Sequence, residues 1–297
     1  MLASDYLADL QRKQQAYMYF PSHVHIETVG ACNAKCDFCP NSIMDRRSKQ
    51  MSDELFDKIV GDLKQIPYDR PLAISPSKVN EPLLDKKIFD RIDQLAEALP
   101  NATFWFTTNL SLATPDVLEQ LAQVPRLGYI WVSLHSLQED EYHQWTGLSL
   151  KKTVQNVKRL LQLNREKQFT PTIFLGRVKD NSPHDKQFFT DVQTVLADFE
   201  YDVEYKPAVL RRGQWLGFTE SDADRVPDYP CIRWFELSIT CTGEVAFCCM
   251  DGRCQYPLGD VNQQGILEIY NQPVCMERRR QIPPRSDVEV CRDCTFL

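Results

Sequence analysis

Three cysteines within eight residues limit what this chain can fold into more than any other feature of its sequence. Cys32, Cys36 and Cys39 directly follow a strand-like run at residues 23–29. Thiolates are the usual ligands of iron–sulfur clusters, and a four-iron cluster normally takes four of them. Three thiolates can hold such a cluster and leave one iron open, which indicates an enzyme. A structural zinc knuckle is the alternative, but such sites are closed by four ligands, and no fourth Cys or His lies close by in sequence.

The composition favours metal ligation over disulfide formation. No apolar run reaches the ~18 residues that span a bilayer. The first residues have the pattern of an amphipathic helix rather than of a secretory signal. We therefore expect a cytoplasmic protein without a membrane partner, in which eleven cysteines serve mainly as metal ligands. A net charge of −7 argues against a nucleic-acid surface and suits a cationic small-molecule substrate.

Strand-like and helix-like segments alternate along the first two thirds of the chain. Because parallel strands need crossover connections, this alternation predicts βα units around a parallel sheet. The pattern does not distinguish a barrel from an open doubly wound sheet. The predicted strands lie at residues 23–29, 72–75, 103–107, 129–133, 171–175 and 203–206.

The spacing Cys32-x3-Cys36-x2-Cys39, with Phe38 before the third cysteine, resembles the cluster motif of radical S-adenosylmethionine (radical SAM) enzymes. The resemblance implies a partial (β/α)6 barrel, which we assign to residues 1–220. It also implies that SAM chelates the fourth iron of a [4Fe–4S] cluster. SAM is then cleaved to a 5′-deoxyadenosyl radical that abstracts hydrogen from the substrate. An electron donor such as flavodoxin or ferredoxin is the implied partner.

Short segments after the predicted strands resemble the SAM-binding loops of that family. Asn80-Glu81-Pro82 is similar to a Gly-Gly-Glu-Pro segment whose carboxylate receives the SAM amino group, although Val79 and Asn80 replace the two glycines. Leu110 replaces the glycine of a Thr-Asn-Gly turn. The resemblance implies that SAM is contacted by Phe38, Asn80, Glu81, Thr108, Asn109 and Ser133.

A second group of cysteines lies near the C-terminus. Cys231, Gly243 and Cys248 fit the CX9–15GX4C pattern of SPASM and twitch domains, which hold auxiliary clusters, and Cys291-Arg-Asp-Cys294 closes the pattern. We expect a β-hairpin that turns near Gly243, in a small cysteine-rich domain at residues 221–297. Four cysteines rather than seven indicate the shorter, twitch-type arrangement with one auxiliary [4Fe–4S] cluster. A zinc ribbon is the alternative. The implied ligands are Cys231, Cys248, Cys291 and Cys294.

Cys249 is the candidate catalytic residue. In an extended strand its thiol would point away from that of Cys248. It could then donate a hydrogen atom to a substrate radical. We therefore expect epimerisation of a small, polyhydroxylated, aminoglycoside-like substrate, as in a neomycin-type epimerase. Whether Glu236 and Asp251 bind substrate amines or only solvent stays open.

Three other functions remain open at this point. The first is an aminocyclitol dehydrogenase, in which the auxiliary cluster receives the electron and a nearby base takes the proton. The second is a peptide-modifying maturase. The third is a non-catalytic iron–sulfur or zinc protein that binds a partner.

Overall fold

One nine-stranded sheet organises the computed structural model, which describes residues 3–167, 171–210, 229–292 and 294. The strands are β1 (His23–Ile26), β2 (Leu72–Ser75), β3 (Ala102–Thr108), β4 (Leu127–Ser133), β5 (Thr172–Val178), β6 (Lys206–Leu210), β7 (Glu236–Ile239), β8 (Glu244–Ala246) and β9 (Pro257–Asp260). Their order is β6-β5-β4-β3-β2-β1-β7-β8-β9. Strands β1 to β6 are parallel, as the alternating pattern predicts.

Helices connect the parallel strands and cover one face of the sheet. Alternate strand residues, such as Ile74, Phe106 and Ile130, are buried in the core between the sheet and these helices. The residues between them face the inner side of the partial barrel. The helices are α1 (Ala3–Ala16), α2 (Asp53–Leu63), α3 (Ile88–Ala98), α4 (Pro115–Leu121), α5 (Glu139–Thr146), α6 (Leu150–Lys167), α7 (His184–Val195), α8 (Ile266–Tyr270) and α9 (Pro273–Gln281).

Local caps account for several helix boundaries. Ser52 accepts a hydrogen bond from Leu55 N and caps the start of α2. Thr114 caps the start of α4 through an equivalent side-chain hydrogen bond, and Pro115 occupies the first turn of that helix. The pattern did not predict α5, a short helix that ends at Gly147 with a φ of 69°. This helix has little apolar periodicity, so its sequence resembles a loop.

One predicted strand is wrong in position. Residues 203–206 alternate in polarity, but β6 begins only at Lys206. Asp202 has a φ of 60° and its N–H donates to the Tyr205 carbonyl, so this segment turns rather than extends. Val203 is exposed, and the apparent alternation therefore did not mark a buried face.

The cysteine-rich region continues the sheet of the barrel. β7 pairs in parallel with β1, with His23 opposite Glu236, and then turns back into β8. The turn uses Gly243 at a φ of 98°, as the hairpin prediction required. The proposed domain boundary at residues 220 and 221 lies outside the described residues. Among the helices that are described, none is long and apolar enough to cross a membrane.

Candidate active site

Cys32, Cys36 and Cys39 form a compact group of thiols in the loop after β1. Burial raises the pKa of Cys36, and the charges of Cys39 and Cys32 raise it further, because the three groups lie close together. Burial also raises the pKa of Cys32 to about 12 and that of Cys39 to about 11. A group of buried thiols that resist ionisation fits a cationic centre that binds them as thiolates, as an iron–sulfur cluster does.

Glu81 is the polar centre of the loop after β2. Its Oε1 accepts from Thr108 Oγ1 at 2.7 Å and from Leu83 N at 3.1 Å, and its Oε2 accepts from Asn109 N at 2.8 Å. Burial raises the pKa of Glu81 to about 7, because it outweighs these hydrogen bonds, which favour the charged form. The structure thus brings Glu81, Thr108 and Asn109 together. That Glu81 accepts the SAM ammonium stays a prediction.

Asn33, which the sequence analysis did not single out, ties the cysteine loop to the end of β3. Asn109 Nδ2 donates to Asn33 Oδ1 at 2.9 Å, and Asn33 Nδ2 donates to Ser111 Oγ at 2.9 Å. Ser111 donates in turn to Asn109 Oδ1 from its backbone N–H and its hydroxyl. An amide between two cysteines was the only sequence signal for this role, and it does not distinguish a network from a solvated loop.

The turn after β3 is strained where the related family carries glycine. Leu110 has a φ of 59°, in the left-handed region that side chains disfavour. Its side chain is buried in the core, and its N–H donates to Thr108 Oγ1 at 2.9 Å. Asn156 Nδ2 donates to its carbonyl at 2.8 Å. Burial and these two hydrogen bonds hold leucine in a glycine conformation.

The remaining predicted SAM contacts lie at two places. Phe38 meets the ring of His135 edge-on, with 5.1 Å between centroids, next to Ser133 at the end of β4. Burial lowers the pKa of His135 to about 4, so this ring is neutral. Asn80 instead turns into its own loop, where its Oδ1 accepts from Lys78 N at 2.8 Å. Contact of Phe38, Ser133 and Asn80 with SAM stays a prediction.

The four C-terminal cysteines line one buried cavity. Cys231 precedes β7 and Cys248 follows β8, so the antiparallel hairpin brings both to the same end. Cys291 and Cys294 reach this cavity from the short turns that end the described chain. The cavity is completed by Arg233, Trp234, Phe247, Met250 and Arg285.

The hydrogen-bond donors of this cavity, as well as its thiols, are suited to an iron–sulfur cluster. The buried indole of Trp234 lies against the thiol of Cys291 and favours its thiolate form. An N–H donor directed at a cysteine sulfur is the kind of outer contact that stabilises a metal-bound thiolate. Burial raises the pKa of Cys248, and the charges of the neighbouring thiols raise it further. Binding to a cationic metal centre would stabilise these thiols as thiolates.

Cys248 and Cys249 are adjacent but face different surroundings. Cys248 lines the cavity, whereas the thiol of Cys249 lies beside His25 and Arg233, which both favour its ionised form. The prediction that an extended strand separates the two thiols is wrong, because β8 ends at Ala246 and both residues lie in the bend that follows. Burial raises the pKa of Cys249, but the charge of Arg233 and the contact with His25 outweigh it and lower that pKa.

His25 joins Cys249 to a buried ion pair on the inner face of the sheet. Its Nε2 lies 3.3 Å from Glu236 Oε2, and Arg233 Nη1 donates to both Glu236 oxygens at 3.0 and 2.9 Å. Burial alone would lower the pKa of His25, but its hydrogen bonds to Cys249 and Glu236 raise it to about 9. Burial opposes ionisation of Glu236, yet Arg233 and His25 hold its pKa well below the usual range.

His23, His25 and Glu236 lie close enough for a metal site, but their bonding does not support one. The two imidazole rings stack at 4.0 Å, so lone pairs that lie in the ring planes do not converge on one ion. His23 Nε2 is also hydrogen-bonded to Ser75 Oγ at 2.8 Å. The group is therefore a hydrogen-bonded network.

Asp251 has a structural role. Its buried carboxylate accepts from Gln255 N at 2.8 Å and from Tyr256 N at 3.0 Å, which closes the loop after Cys249. Lys78 Nζ donates to the Asp251 carbonyl at 2.5 Å. Asp251 and Glu236, the two acids near the second cluster, therefore both have partners within the protein.

Comparisons with known proteins agree with both cysteine sites. Residues 26–184 match the Radical SAM superfamily, and residues 231–295 match SPASM, an iron–sulfur cluster-binding domain. No curated protein sequence matches the chain.

Solved structures share the fold. BtrN in complex with AdoMet and 2-DOIA is 18% identical, over 94% of both chains, with a TM-score of 0.61. Streptococcus suis SuiB bound to its precursor peptide SuiA is 13% identical, over 99% of this chain and 73% of that one, with a TM-score of 0.65. The structure of anSMEcpe with bound AdoMet is 13% identical, over 92% of this chain and 84% of that one, with a TM-score of 0.65.

The matched span covers more than half of the chain and includes the three-cysteine loop. The C-terminal match includes all four cysteines that line the cavity. These matches imply SAM and a [4Fe–4S] cluster in the barrel and an auxiliary iron–sulfur cluster in the SPASM domain. The chain belongs to the radical SAM superfamily and carries a C-terminal SPASM domain.

Proposed function

We propose that this enzyme epimerises a carbon centre of a small, polyhydroxylated, aminoglycoside-like molecule. SAM and its cluster, when bound, supply the 5′-deoxyadenosyl radical that abstracts a C–H hydrogen from one face of the substrate. Cys249 returns a hydrogen atom to the opposite face. In this proposal Cys32, Cys36 and Cys39 hold the first cluster. The auxiliary cluster is held by Cys231, Cys248, Cys291 and Cys294.

The contact between Cys249 and His25 supports this proposal most. Among eleven cysteines, Cys249 has its thiol beside a residue of the inner barrel face. The adjacent Cys248 faces the four-cysteine cavity instead. A hydrogen donor must reach the substrate without being consumed as a metal ligand, and the divergence of these two thiols meets that need.

The step at Cys249 transfers one hydrogen atom. Because Arg233 and His25 favour the Cys249 thiolate, the proton shared with His25 must first return to sulfur. The S–H bond then breaks, a C–H bond forms on the substrate radical, and a sulfur-centred radical remains on Cys249. One electron and one proton must then restore the thiol. His25 is the proposed source of the proton, because its ring lies beside the sulfur of Cys249. An electron donor such as flavodoxin or ferredoxin is the proposed external reductant.

Dehydrogenation of an aminocyclitol, the nearest alternative, needs a base beside the substrate. Glu236 is a poor base because Arg233 and His25 hold its pKa well below the usual range. His25 is already protonated near neutrality. Cys249, whose pKa Arg233 and His25 lower, is the remaining base of this network, so the labelling experiment below distinguishes hydrogen return from proton removal.

A peptide substrate is the second candidate, because SuiB shares the fold and was solved with its precursor peptide. BtrN, solved with AdoMet and 2-DOIA, supports the small-molecule reading instead. The match covers 94% of BtrN but only 73% of SuiB, so BtrN is more similar to this chain in length.

Isotope labelling tests the proposal. The reconstituted enzyme is incubated anaerobically in D2O with SAM, a reductant and a panel of aminoglycosides and aminocyclitols. We expect a product of unchanged composition that carries one carbon-bound deuterium, and its loss in Cys249→Ala. Cys275→Ala, which removes a buried thiol outside both sites, is the matched control. A product two hydrogens lighter without deuterium would instead establish dehydrogenation.

A further inference from the structure

Four aromatic side chains form a continuous wall on the inner face of the barrel. Trp105 lies 4.7 Å from Tyr129 between ring centroids, Tyr129 lies 5.7 Å from Phe174, and Phe174 stacks on Trp131 at 5.5 Å. These residues alternate along β3, β4 and β5 with residues that are buried against the helices. All four are only half-buried, so their rings remain accessible. We call this group the aromatic wall.

Glycines beneath the two tryptophans allow their rings to lie against the sheet. A Cβ on Gly176 would lie 2.3 Å from ring atoms of Trp131. A Cβ on Gly128, at a register shift between β3 and β4, would lie 2.9 Å from Trp105 Nε1. Any larger residue would displace these rings. The backbone is therefore shaped to present the indoles to the inner face of the barrel.

The aromatic wall leads directly to Cys249. The ring centroids of Trp105 and His23 lie 4.7 Å apart in an edge-on contact. His23 in turn stacks on His25, and the His25 ring lies beside the Cys249 thiol. Tyr129 also lies close enough to Cys249, Arg233 and Glu236 for their charges to act on its hydroxyl. A molecule on the wall therefore lies beside the proposed hydrogen donor.

The described strands give this face an exposed cation but no unpaired carboxylate, since Lys206 of β6 pairs in register with Phe174 of the wall. Among the described strands β1 to β7, Glu236 is the only carboxylate, and it is bound to Arg233 and His25. Thr103 and Thr107 of β3 add exposed hydroxyls on either side of Trp105. Aromatic faces flanked by hydroxyls match a ring that has an apolar face and a polar rim.

We propose that the aromatic wall binds the substrate and that this substrate is a cyclic polyol, stacked on the wall by the C–H face of its ring. The stacked ring lies with a C–H bond toward Cys249. An amino group on the substrate is not the main recognition element. This inference deepens the proposed function and rests on it for the location of the reaction.

Equilibrium binding tests the inference without turnover. The reconstituted, oxidised protein with SAM and no reductant is titrated calorimetrically with myo-inositol and 2-deoxystreptamine. Sorbitol, a linear polyol with as many hydroxyls as myo-inositol, and a phenylalanine-containing tetrapeptide are the competing probes. We expect the cyclic probes to bind at least about 10-fold more tightly than sorbitol and the peptide.

Variants of Trp131 distinguish recognition by a flat aromatic ring from recognition by apolar volume alone. Trp131→Leu should weaken binding of the cyclic probes by about 10-fold, and Trp131→Phe should recover most of it. Gly176→Ala, which keeps Trp131 but displaces its ring, should weaken binding as well. Tyr68→Ala, at an exposed residue outside the wall, is the control and should bind as wild type does.

Three outcomes would overturn the inference: no binding of a cyclic probe, preference for the peptide or sorbitol, or unchanged affinity in Trp131→Leu. Failure of the proposed function looks different. Cyclic probes would then bind in a Trp131-dependent manner, but turnover in D2O would give no epimerised product.

Discussion

Neutral amides and hydroxyls hold the loop of Cys32, Cys36 and Cys39 through hydrogen bonds. The cavity of the four C-terminal cysteines is instead lined by aromatic rings and arginines. In the first site, Asn33, Asn109 and Ser111 exchange hydrogen bonds around the loop. In the second, Trp234, Phe247 and Arg285 enclose the thiols. The first arrangement leaves polar groups near an incomplete ligand set, and the second encloses a complete one.

This difference indicates what each centre does. A site with three thiolates can admit a further ligand, while a site with four thiolates and apolar walls is suited to hold a cluster whose role is structural or electron-transferring. The aromatic wall, which we propose as the substrate face, ends at His23 and His25, beside Cys249.

The largest effect should come from the three-thiol site. Cys36→Ala should remove about four iron atoms per chain and abolish SAM cleavage, because two thiolates cannot hold the cluster to which SAM binds. Iron analysis and the yield of 5′-deoxyadenosine measure this. Cys275→Ala should retain both, and SAM cleavage by Cys36→Ala at the wild-type rate would break the comparison.

The four-thiol site should respond differently. Replacing both Cys291 and Cys294 by alanine should also remove about four iron atoms, because two thiolates cannot hold the auxiliary cluster, but it should keep measurable SAM cleavage, because the barrel site is assembled from other residues. Product formation should be lost. Electron paramagnetic resonance of the reduced protein should show one cluster signal instead of two. Full iron content in the double variant would exclude this pair as ligands.

The sequence predicted the features whose residues are contiguous. The three-cysteine loop, the six parallel strands and the hairpin at Gly243 depend on local spacing or periodicity, and each is present. α5 was missed because its apolar residues are few. The strand at 203–206 was misplaced because Asp202 adopts a left-handed conformation that the polarity pattern does not reveal.

The network around Cys249 could not have been predicted in the same way. It depends on the parallel register of β1 and β7, which places His23 opposite Glu236 although more than 200 residues separate them in sequence. No local pattern specifies that pairing. The bend that directs Cys249 toward His25 likewise depends on tertiary contacts.

A smaller effect concerns the link between the two regions. Arg46 donates to Glu27 at 2.5 and 3.0 Å and to the Gly252 carbonyl at 2.6 Å, so it joins the loop after the first site to the loop after Cys249. Arg46→Met leaves the Glu27 carboxylate buried without its cation, and it should lower the free energy of unfolding by about 3–5 kcal/mol. Urea denaturation measures this loss. Lys87→Met, at an exposed ion pair, is the control, and equal stability of the two variants would contradict the account.

The smallest effect is a pH dependence at Glu81. Its folded-state pKa of about 7 lies above its ordinary value, so the folded protein binds more protons than the unfolded chain between these two values. Stability should therefore fall as pH rises through 7. Glu81→Gln should remove about 1–3 kcal/mol of that fall between pH 5 and 8, measured by urea denaturation of the cluster-free protein. An identical pH profile in wild type and variant would contradict the raised pKa.

The pair Cys248→Ala and Cys249→Ala tests the central claim most directly, because the two thiols are adjacent and are assigned different roles. Iron content and deuterium incorporation into the product are measured for both variants. Because Cys248→Ala leaves the auxiliary cluster only three thiolates, this variant should retain less iron than Cys249→Ala after the same reconstitution. The account predicts that Cys249→Ala keeps all of its iron, still cleaves SAM and forms no deuterated epimer. Loss of iron in Cys249→Ala, or an unchanged epimer yield, would contradict the account.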